Sequence, residues 1–126
     1  MEIVCLDSSI LIEYYRRKDK SQTSFFQLSR DYNTFVVPAV VEYEILRGEK
    51  DPSNAFWEDF FDKVRVLDFD RACAREAADI YAYLRPLNQH QQTLDILIAA
   101  TARAWDYPIA TLNTKDFEHI PRIKLV

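Results

Sequence analysis

Acidic side chains recur near the ends and starts of the elements that the sequence predicts. Asp7 follows a β-branched apolar run near the start of the chain, and Asp116 lies shortly after the last long apolar run. Glu44 and Asp95 lie on two predicted helices. Crowded carboxylates repel one another unless a cation lies between them, and ligand sets made only of oxygen favour Mg²⁺ or Mn²⁺. The residue types therefore predict a divalent-metal site suited to hydrolysis of a phosphodiester.

Each of these acids also has an ordinary structural interpretation. Asp7 is a good helix cap, and Asp95 complements the dipole at a helix N-terminus. Glu42 lies about 200° around the same helix from Glu44, so at most one of the two shares a cleft with Asp7. Hydrophobic periodicity leaves that choice open. Gly48 lies one turn beyond Glu44 and leaves room for an ion or a substrate, which favours Glu44.

Polar residues next to the acids are candidates for supporting the site. Thr111 and Asn113 come where the strand predicted over 107–112 ends, at the edge of the sheet where such sites lie, although they are also ordinary turn residues. Arg47 lies one turn from Glu44 and is a candidate for holding the phosphate that is cleaved, or simply for pairing with Glu44. The positions of these groups depend on the elements that carry them.

Predicted strands and helices alternate along the chain. Apolar runs predict strands at 3–6, 34–37, 66–69, 107–112 and 123–126. Strands separated by helical patterns imply right-handed βαβ units. We therefore predict an α/β fold, a three-layer α/β/α sandwich with a central, mainly parallel sheet of four to five strands. The carboxyl ends of parallel strands meet at one edge, which would gather the acids there.

Residues with a preference for helix ends predict where the helices begin and end. The predicted starts are Ser8 or Ser9, Pro38, Pro52–Ser53, Asp70 and Thr93, with Gly48 as the C-terminal cap of the helix that Pro38 opens. The polar stretch 85–92 is predicted to be a loop. The four aromatic residues after Ser53 fall on one helical stripe, which predicts a core or dimer surface; they are Phe56, Trp57, Phe60 and Phe61.

The composition restricts the class of protein. With 126 residues, 48% of them hydrophobic and 29% charged, the chain is typical of one folded domain spanning 1–126. The only glycine is Gly48, which excludes dinucleotide-binding folds and P-loops. A net charge of −4 argues against a protein that coats nucleic acid by charge alone. No membrane helix, secretory signal or zinc-binding cysteine pair is apparent, which predicts a cytoplasmic protein without a membrane partner.

Four segments resemble, in order, the motifs of one family. Residues 6–12 (LDSSILI) are similar to the opening motif of PIN-domain ribonucleases, and residues 44–48 (EILRG) resemble the glutamate motif of that family. Residues 95–102 (DILIAATA) and 111–117 (TLNTKDF) resemble its third and fourth motifs. The resemblance spans nearly the whole chain and is greatest to the VapC toxins of VapBC toxin–antitoxin modules.

This resemblance implies a PIN-like fold and an endoribonuclease that depends on Mg²⁺ or Mn²⁺. It also implies inhibition by a cognate VapB-type antitoxin, assembly as a homodimer, and transfer or ribosomal RNA as substrate. The acids that it implies are Asp7 and Asp95 most directly on the metal, Glu44 beside them and Asp116 as the fourth. The residues that it implies as hydrogen-bonding support are Ser9, Thr111 and Asn113.

Two features depart from the family pattern, and two other functions stay open. The segment before Asp95 lacks the usual glycine, and many relatives have an acid where this chain has Asn113. An aspartyl phosphatase would need a second aspartate two residues after Asp7, where Ser9 stands. A non-catalytic PIN-like module that binds proteins would keep the fold and use the acids as caps and surface charge.

Overall fold

A parallel four-stranded sheet forms the centre of the protein. The computed structural model describes residues 2–89 and 92–126. The strands are β1 (Ile3–Leu6), β2 (Thr34–Pro38), β3 (Arg65–Leu67) and β4 (Ile109–Ala110). Their order is β3-β2-β1-β4, and each neighbouring pair is parallel. Residues 123–126, predicted as a strand, contribute a single bridge between Leu125 and Ile109.

Six α-helices of the described ranges connect the strands. Their bounds are α1 (Ser8–Arg16), α2 (Ser24–Leu28), α3 (Ala39–Gly48), α4 (Phe56–Lys63), α5 (Arg71–Leu84) and α6 (Thr93–Trp105). The chain moves across the sheet from β1 to β3 and then crosses back to β4 beside β1. Right-handed crossovers therefore place α1 to α4 on one face, and α5 and α6 on the other. The predicted three-layer α/β/α fold is confirmed.

Within the described ranges, three short 3₁₀ turns accompany these strands and α-helices. They cover Lys20–Gln22, Arg85–Leu87 and Thr114–Asp116. The second turn falls within the stretch 85–92 that was predicted to be a loop, of which residues 90 and 91 lie outside the described ranges. Among the described helices, none has both the length and the apolar character needed to cross a bilayer.

The central strand and α6 supply the deepest part of the core. Val4, Cys5 and Leu6 are fully buried, because β1 has neighbours on both sides and helices on both faces. Burial raises the pKa of the Cys5 thiol, which behaves as a small apolar side chain. On α6, Ala99 and Ala100 are also fully buried, and their small side chains let the helix approach the sheet closely. The first residues of α6 are thereby held near the end of β1.

Local hydrogen bonds explain why α4 begins later than predicted. The Asp51 carboxylate accepts hydrogen bonds from both the backbone N–H and the hydroxyl of Ser53, at 3.0 and 2.7 Å. The Asn54 side-chain oxygen then accepts from the backbone N–H of Phe56 at 3.0 Å. These bonds satisfy the backbone of 51–54 in a turn, so the prediction of a helix start at Pro52–Ser53 was wrong.

The other helix ends agree with the predictions to within one or two residues. Asp70 is the N-cap of α5, as predicted, and accepts from the backbone N–H of Cys73 at 3.1 Å. Asp7 itself, rather than Ser8 or Ser9, is the N-cap of α1, and its side chain makes no capping bond. The corresponding N-caps of α3 and α6 are Pro38 and Gln92, and Glu49 is the C-cap that follows Gly48.

A lysine beyond the end of α1 closes that helix. The Lys20 ammonium donates to the backbone carbonyls of Tyr14, Tyr15 and Arg17, at 2.5, 3.1 and 2.7 Å. It also lies 4.9 Å from the centre of the Tyr14 ring. A positive charge complements the free carbonyls at a helix C-terminus, so Lys20 fixes where α1 ends.

A buried arginine joins the two helices of the second face to the C-terminal segment. The Arg103 side chain is 5% exposed. Its guanidinium donates to Glu76 at 2.6 Å and Asp79 at 2.6 Å on α5, and to the carbonyl of Pro121 at 3.1 Å. Arg122 also donates to Asp79, at 2.9 Å. We refer to Arg103, Glu76, Asp79, Pro121 and Arg122 as the arginine clamp.

Candidate active site

Asp7 occupies the centre of the candidate site. It follows the last residue of β1, and only 4% of its surface is exposed. Its backbone N–H donates to the carbonyl of Ala110 at 3.0 Å, which ties the end of β1 to the end of β4. The Asp7 carboxylate accepts from the hydroxyls of Ser9 at 2.9 Å and Thr111 at 2.7 Å, both at Oδ2. The orientation of this carboxylate is therefore fixed.

Backbone amides hold the two hydroxyls in place. Ser9 Oγ accepts from the backbone N–H of Leu112, and Thr111 Oγ1 accepts from the backbone N–H of Asn113, both at 3.0 Å. The hydroxyl oxygens lie 3.3 Å apart. Since each hydroxyl receives a hydrogen bond from the backbone, its own proton is free to point at Asp7. The resemblance implied support from Asn113, and the contact that the structure gives is made by its backbone.

Glu44 lies close enough to Asp7 for their charges to interact. Burial and the negative charge of Asp7 raise the pKa of the Glu44 carboxyl, and the Ser8 hydroxyl and Arg47 partly offset that rise. Its Oε1 atom is buried and has no hydrogen-bond partner among the described residues. Glu42 instead lines a groove on another side of α3. Hydrophobic periodicity did not decide whether Glu42 or Glu44 lies near Asp7, and the structure shows that it is Glu44.

Asp95 interacts electrostatically with all the other candidate acids. Burial in the first turn of α6 is the largest cause that raises its pKa, to about 6. The charges of Asp116, Asp7 and Glu44 raise it further, in that order. Such mutual effects are felt only over short distances in a partly buried site. The four acids predicted from the sequence therefore form one cluster at the carboxyl edge of the sheet.

Arg47 lies at the side of this cluster. Its charge reaches Glu44 and lowers the pKa of that carboxyl, against the stronger effects that raise it. The guanidinium packs over the exposed ring of Tyr43, 5.2 Å from its centre, and reaches the Tyr43 hydroxyl at 3.5 Å. Arg47 is thus an exposed cation beside an acidic site. It would attract a phosphate that the neighbouring carboxylates repel.

The chemistry of the cluster fits a hard divalent cation. Every side chain in it offers oxygen, and Glu44 Oε1 is a buried acceptor without a donor. In the conformation of the described residues, no three Asp, Glu, His or Cys side chains already enclose a common ion. Mg²⁺ does not require such a cage, because it keeps several waters and contacts one or two carboxylates. The residues thus fit Mg²⁺ or Mn²⁺ by donor type.

The sequence analysis did not identify two contributions to the site. Ser8 was considered only as a helix cap, yet its hydroxyl interacts with Glu44. The backbone N–H of Leu112 holds Ser9, which no side-chain pattern reveals. The signal for Ser8 was its position next to Asp7, in the first turn of α1, which packs against the helix α3 that carries Glu44.

Comparison with known proteins identifies the family. The model of the PIN domain matches residues 4–123. The chain belongs to the PIN domain family. The motif resemblance is confirmed, and the four acids lie in the part of the chain that the PIN domain covers.

Curated and solved relatives of this PIN domain include VapC proteins. The tRNA(fMet)-specific endonuclease VapC of Shigella flexneri is 28% identical over 120 residues, covering 91% of this chain and 89% of that protein. Ribonuclease VapC of Rickettsia bellii is 59% identical over 32 residues, 25% of this chain and 24% of that protein. The DNA-bound VapBC structure from Salmonella typhimurium contains a chain with a TM-score of 0.85 and 25% identity, covering 100% of this chain and 98% of that one.

Proposed function

We propose that this PIN domain is a metal-dependent endoribonuclease of the VapC type, the toxic component of a toxin–antitoxin pair. The observation that carries the proposal is the proximity of Asp7, Glu44 and Asp116 to Asp95, whose pKa is raised to about 6 by burial and then by the charges of these three acids. A fold gains no stability from carboxylates that repel one another, so their proximity serves a cation and a substrate. The relatives with VapC names support a nuclease.

Asp7 and Asp95 would hold the divalent ion most directly, with Glu44 and Asp116 beside them. When bound, the ion would supply the positive charge that lowers the pKa of an attacking water and offsets charge on the phosphate. Ser9 and Thr111 hold the Asp7 carboxylate in one orientation, so that it presents fixed acceptors to the site.

Attack by water on phosphorus needs no group from the sugar. The 2′-hydroxyl is not used, so the expected product carries a 5′-phosphate, and chemistry alone does not distinguish RNA from DNA. Arg47 is the residue of this chain that we assign to the phosphate, because a guanidinium binds phosphate oxygens in a planar, bidentate manner. The choice of RNA rests on the VapC relatives.

The relatives also guide the choice of substrate and partner. The Shigella flexneri relative carries a tRNA-specific name, so transfer RNA is the first substrate to test and ribosomal RNA the second. Solved relatives are VapBC complexes, which supports a VapB-type antitoxin as the inhibitory partner. We further propose that the chain is a homodimer, which light scattering of the purified protein would test.

The first prediction concerns the acids. Purified protein free of antitoxin, incubated with pooled transfer RNA and Mg²⁺ or Mn²⁺, should cleave it, and EDTA should stop the reaction. Asp7→Asn and Asp95→Asn should each lower the cleavage rate by roughly a hundredfold or more, because each removes charge that the site places at the reacting groups. The matched control is Asp106→Asn, since the Asp106 side chain is 90% exposed and lies at the far end of α6.

A second readout does not depend on activity. Mn²⁺ should raise the Tm of the wild type, because a ligand that binds only the folded state stabilises it, and should raise that of Asp95→Asn much less. Cleavage that persists in EDTA, or that is equal in the wild type and both acid variants, would refute the proposal. A folded protein with neither cleavage nor a Mn²⁺-dependent rise in Tm would instead be the non-catalytic binding module.

A further inference from the structure

Among the described residues, none imposes a structural requirement for glycine at position 48, the only glycine of the sequence. Gly48 is the last residue of α3, and its φ does not lie in the left-handed region. A Cβ atom added there would meet nothing within 4 Å. Glycine lowers helix stability relative to alanine, so its presence normally has a backbone or packing reason. Here neither applies, which points to something outside the chain that approaches Gly48 closely.

Gly48 faces a pocket that adjoins the candidate active site. The pocket has a volume of about 320 Å³ and lies between α1, α3 and the segment that leads to α4. Glu44 lines it as well, so the pocket and the acid cluster share a wall. This volume lies at the lower end of the range for small-molecule pockets, about 300 to 1,000 Å³, and suits one small planar group.

The other walls of the pocket combine aromatic and cationic groups. Tyr15, which is 38% exposed, lines it and packs against the buried Trp57, with their ring centres 5.2 Å apart. The exposed cations Arg16 and Lys50 also line the pocket, and they balance the charges of Glu44 and Glu49 on its other walls. Aromatic faces stack on nucleobases, and cations along a groove attract the phosphates on either side of a base.

We propose that this pocket holds the base of a single RNA nucleotide next to the phosphodiester that is cleaved. The proposal rests on the endoribonuclease function proposed above and adds a subsite to it. Gly48 lets the sugar and base pass close to the helix backbone, while Arg16 and Lys50 offset the repulsion between the acid cluster and the RNA.

An acidic groove that adjoins the pocket, and shares Glu49 and Trp57 with it, favours the same path. It has a volume of about 570 Å³, and the acids that line it are Glu42, Glu49, Asp51, Glu58 and Asp62. Its lining includes no lysine or arginine. A phosphate backbone is repelled from such a groove, so RNA that reaches Glu44 is directed towards the side of α3 that carries Gly48.

The test fills the pocket. Gly48→Phe places an aromatic ring in the pocket, and Gly48→Ala places a methyl group there. Leu46→Phe is the matched control, because it adds the same ring on the opposite side of α3. With pooled transfer RNA, Gly48→Phe should raise KM about tenfold, the value of one lost stacking contact, with a smaller effect on kcat. Gly48→Ala should raise KM less while its Tm is equal to or above that of the wild type. Leu46→Phe should match the wild type.

Binding separates this proposal from the nuclease function. Fluorescence anisotropy with short single-stranded oligoribonucleotides, in Ca²⁺ or without metal, should show weaker binding to Gly48→Phe than to Leu46→Phe. If the wild type cleaves and a folded Gly48→Phe has the same KM and affinity, the pocket proposal is overturned and the nuclease stands. If the wild type cleaves no RNA, and Gly48→Phe binds RNA less well than the wild type does, the nuclease proposal fails and the pocket proposal stands. A Gly48→Phe variant that keeps RNA binding and loses only a protein partner also overturns the RNA assignment.

Discussion

At the scale of single residues, Asp95 is a candidate acid whose pKa the fold raises strongly. Burial and three neighbouring acids raise its pKa to about 6. In the unfolded chain its pKa is near 3.8, so between these two values the folded state binds more proton than the unfolded state. Without metal, the stability contributed by this protonation is full below about pH 4 and is lost as pH rises to about 6.

Asp95→Asn should therefore stabilise the metal-free protein above pH 6. The full shift corresponds to about 3 kcal/mol, which screening of this half-exposed group reduces to about 1 kcal/mol, or an increase in Tm of about 3 to 5 °C. Thermal unfolding in EDTA from pH 4 to 8 would measure the difference between Asp95→Asn and wild type. The difference should grow between pH 4 and 6 and then stay level. A difference that is independent of pH, or one that Asp106→Asn reproduces, would contradict this explanation.

Much of the site could be predicted at this scale because parallel strands end at one edge. That rule predicts from the sequence that Asp7 and Thr111 lie together, and the 2.7 Å hydrogen bond between their side chains agrees with it. The rule does not choose between Glu42 and Glu44, because α3 carries apolar residues on nearly all sides. Only the packing of α3 against α1 directs Glu44 to Asp7.

At the scale of elements, the end of α1 depends on one side chain that follows it. Lys20→Met should lower the free energy of unfolding by about 1 to 2 kcal/mol, because three carbonyls lose a charged donor at a half-exposed position. Urea unfolding would measure the change. Lys18→Met is the matched control, since Lys18 is exposed and should change stability by less than about 0.5 kcal/mol. Equal effects of the two substitutions would show that Lys20 does not close α1.

Element boundaries were predicted less well than element types, for a physical reason. The alternation of apolar runs and amphipathic stripes reflects burial, which the sequence records directly. The start of α4 depends instead on whether Asp51 accepts a hydrogen bond from the backbone of Ser53 within a turn. Proline and serine are typical both of such turns and of helix starts, so the sequence does not distinguish the two. The last predicted strand was likewise too long, because Leu125 pairs with β4 at a single position.

At the scale of the whole molecule, the arginine clamp joins parts of the chain that are distant in sequence. Arg103→Met should lower the free energy of unfolding by about 3 kcal/mol, because it leaves the half-buried Glu76 carboxylate without its partner. Arg103→Lys should restore little, since an ammonium cannot span α5 and the Pro121 carbonyl as the planar guanidinium does. Urea unfolding would measure both, with the exposed Arg75→Met as control. If Arg103→Lys unfolded with the same free energy as the wild type, the positive charge alone, and not the shape of the guanidinium, would account for the stabilisation.

The bond between Thr111 and Asp7 joins residues 104 positions apart, and this separation orders events during synthesis. Because translation runs from the N-terminus, Asp7 is synthesised 104 residues before Thr111. A nascent chain has no β4 beside β1 until Thr111 is synthesised, so the Asp7 carboxylate is neither oriented nor enclosed before then. Under the endoribonuclease function proposed above, the nascent chain would therefore become active only after β4 and Thr111 have joined β1.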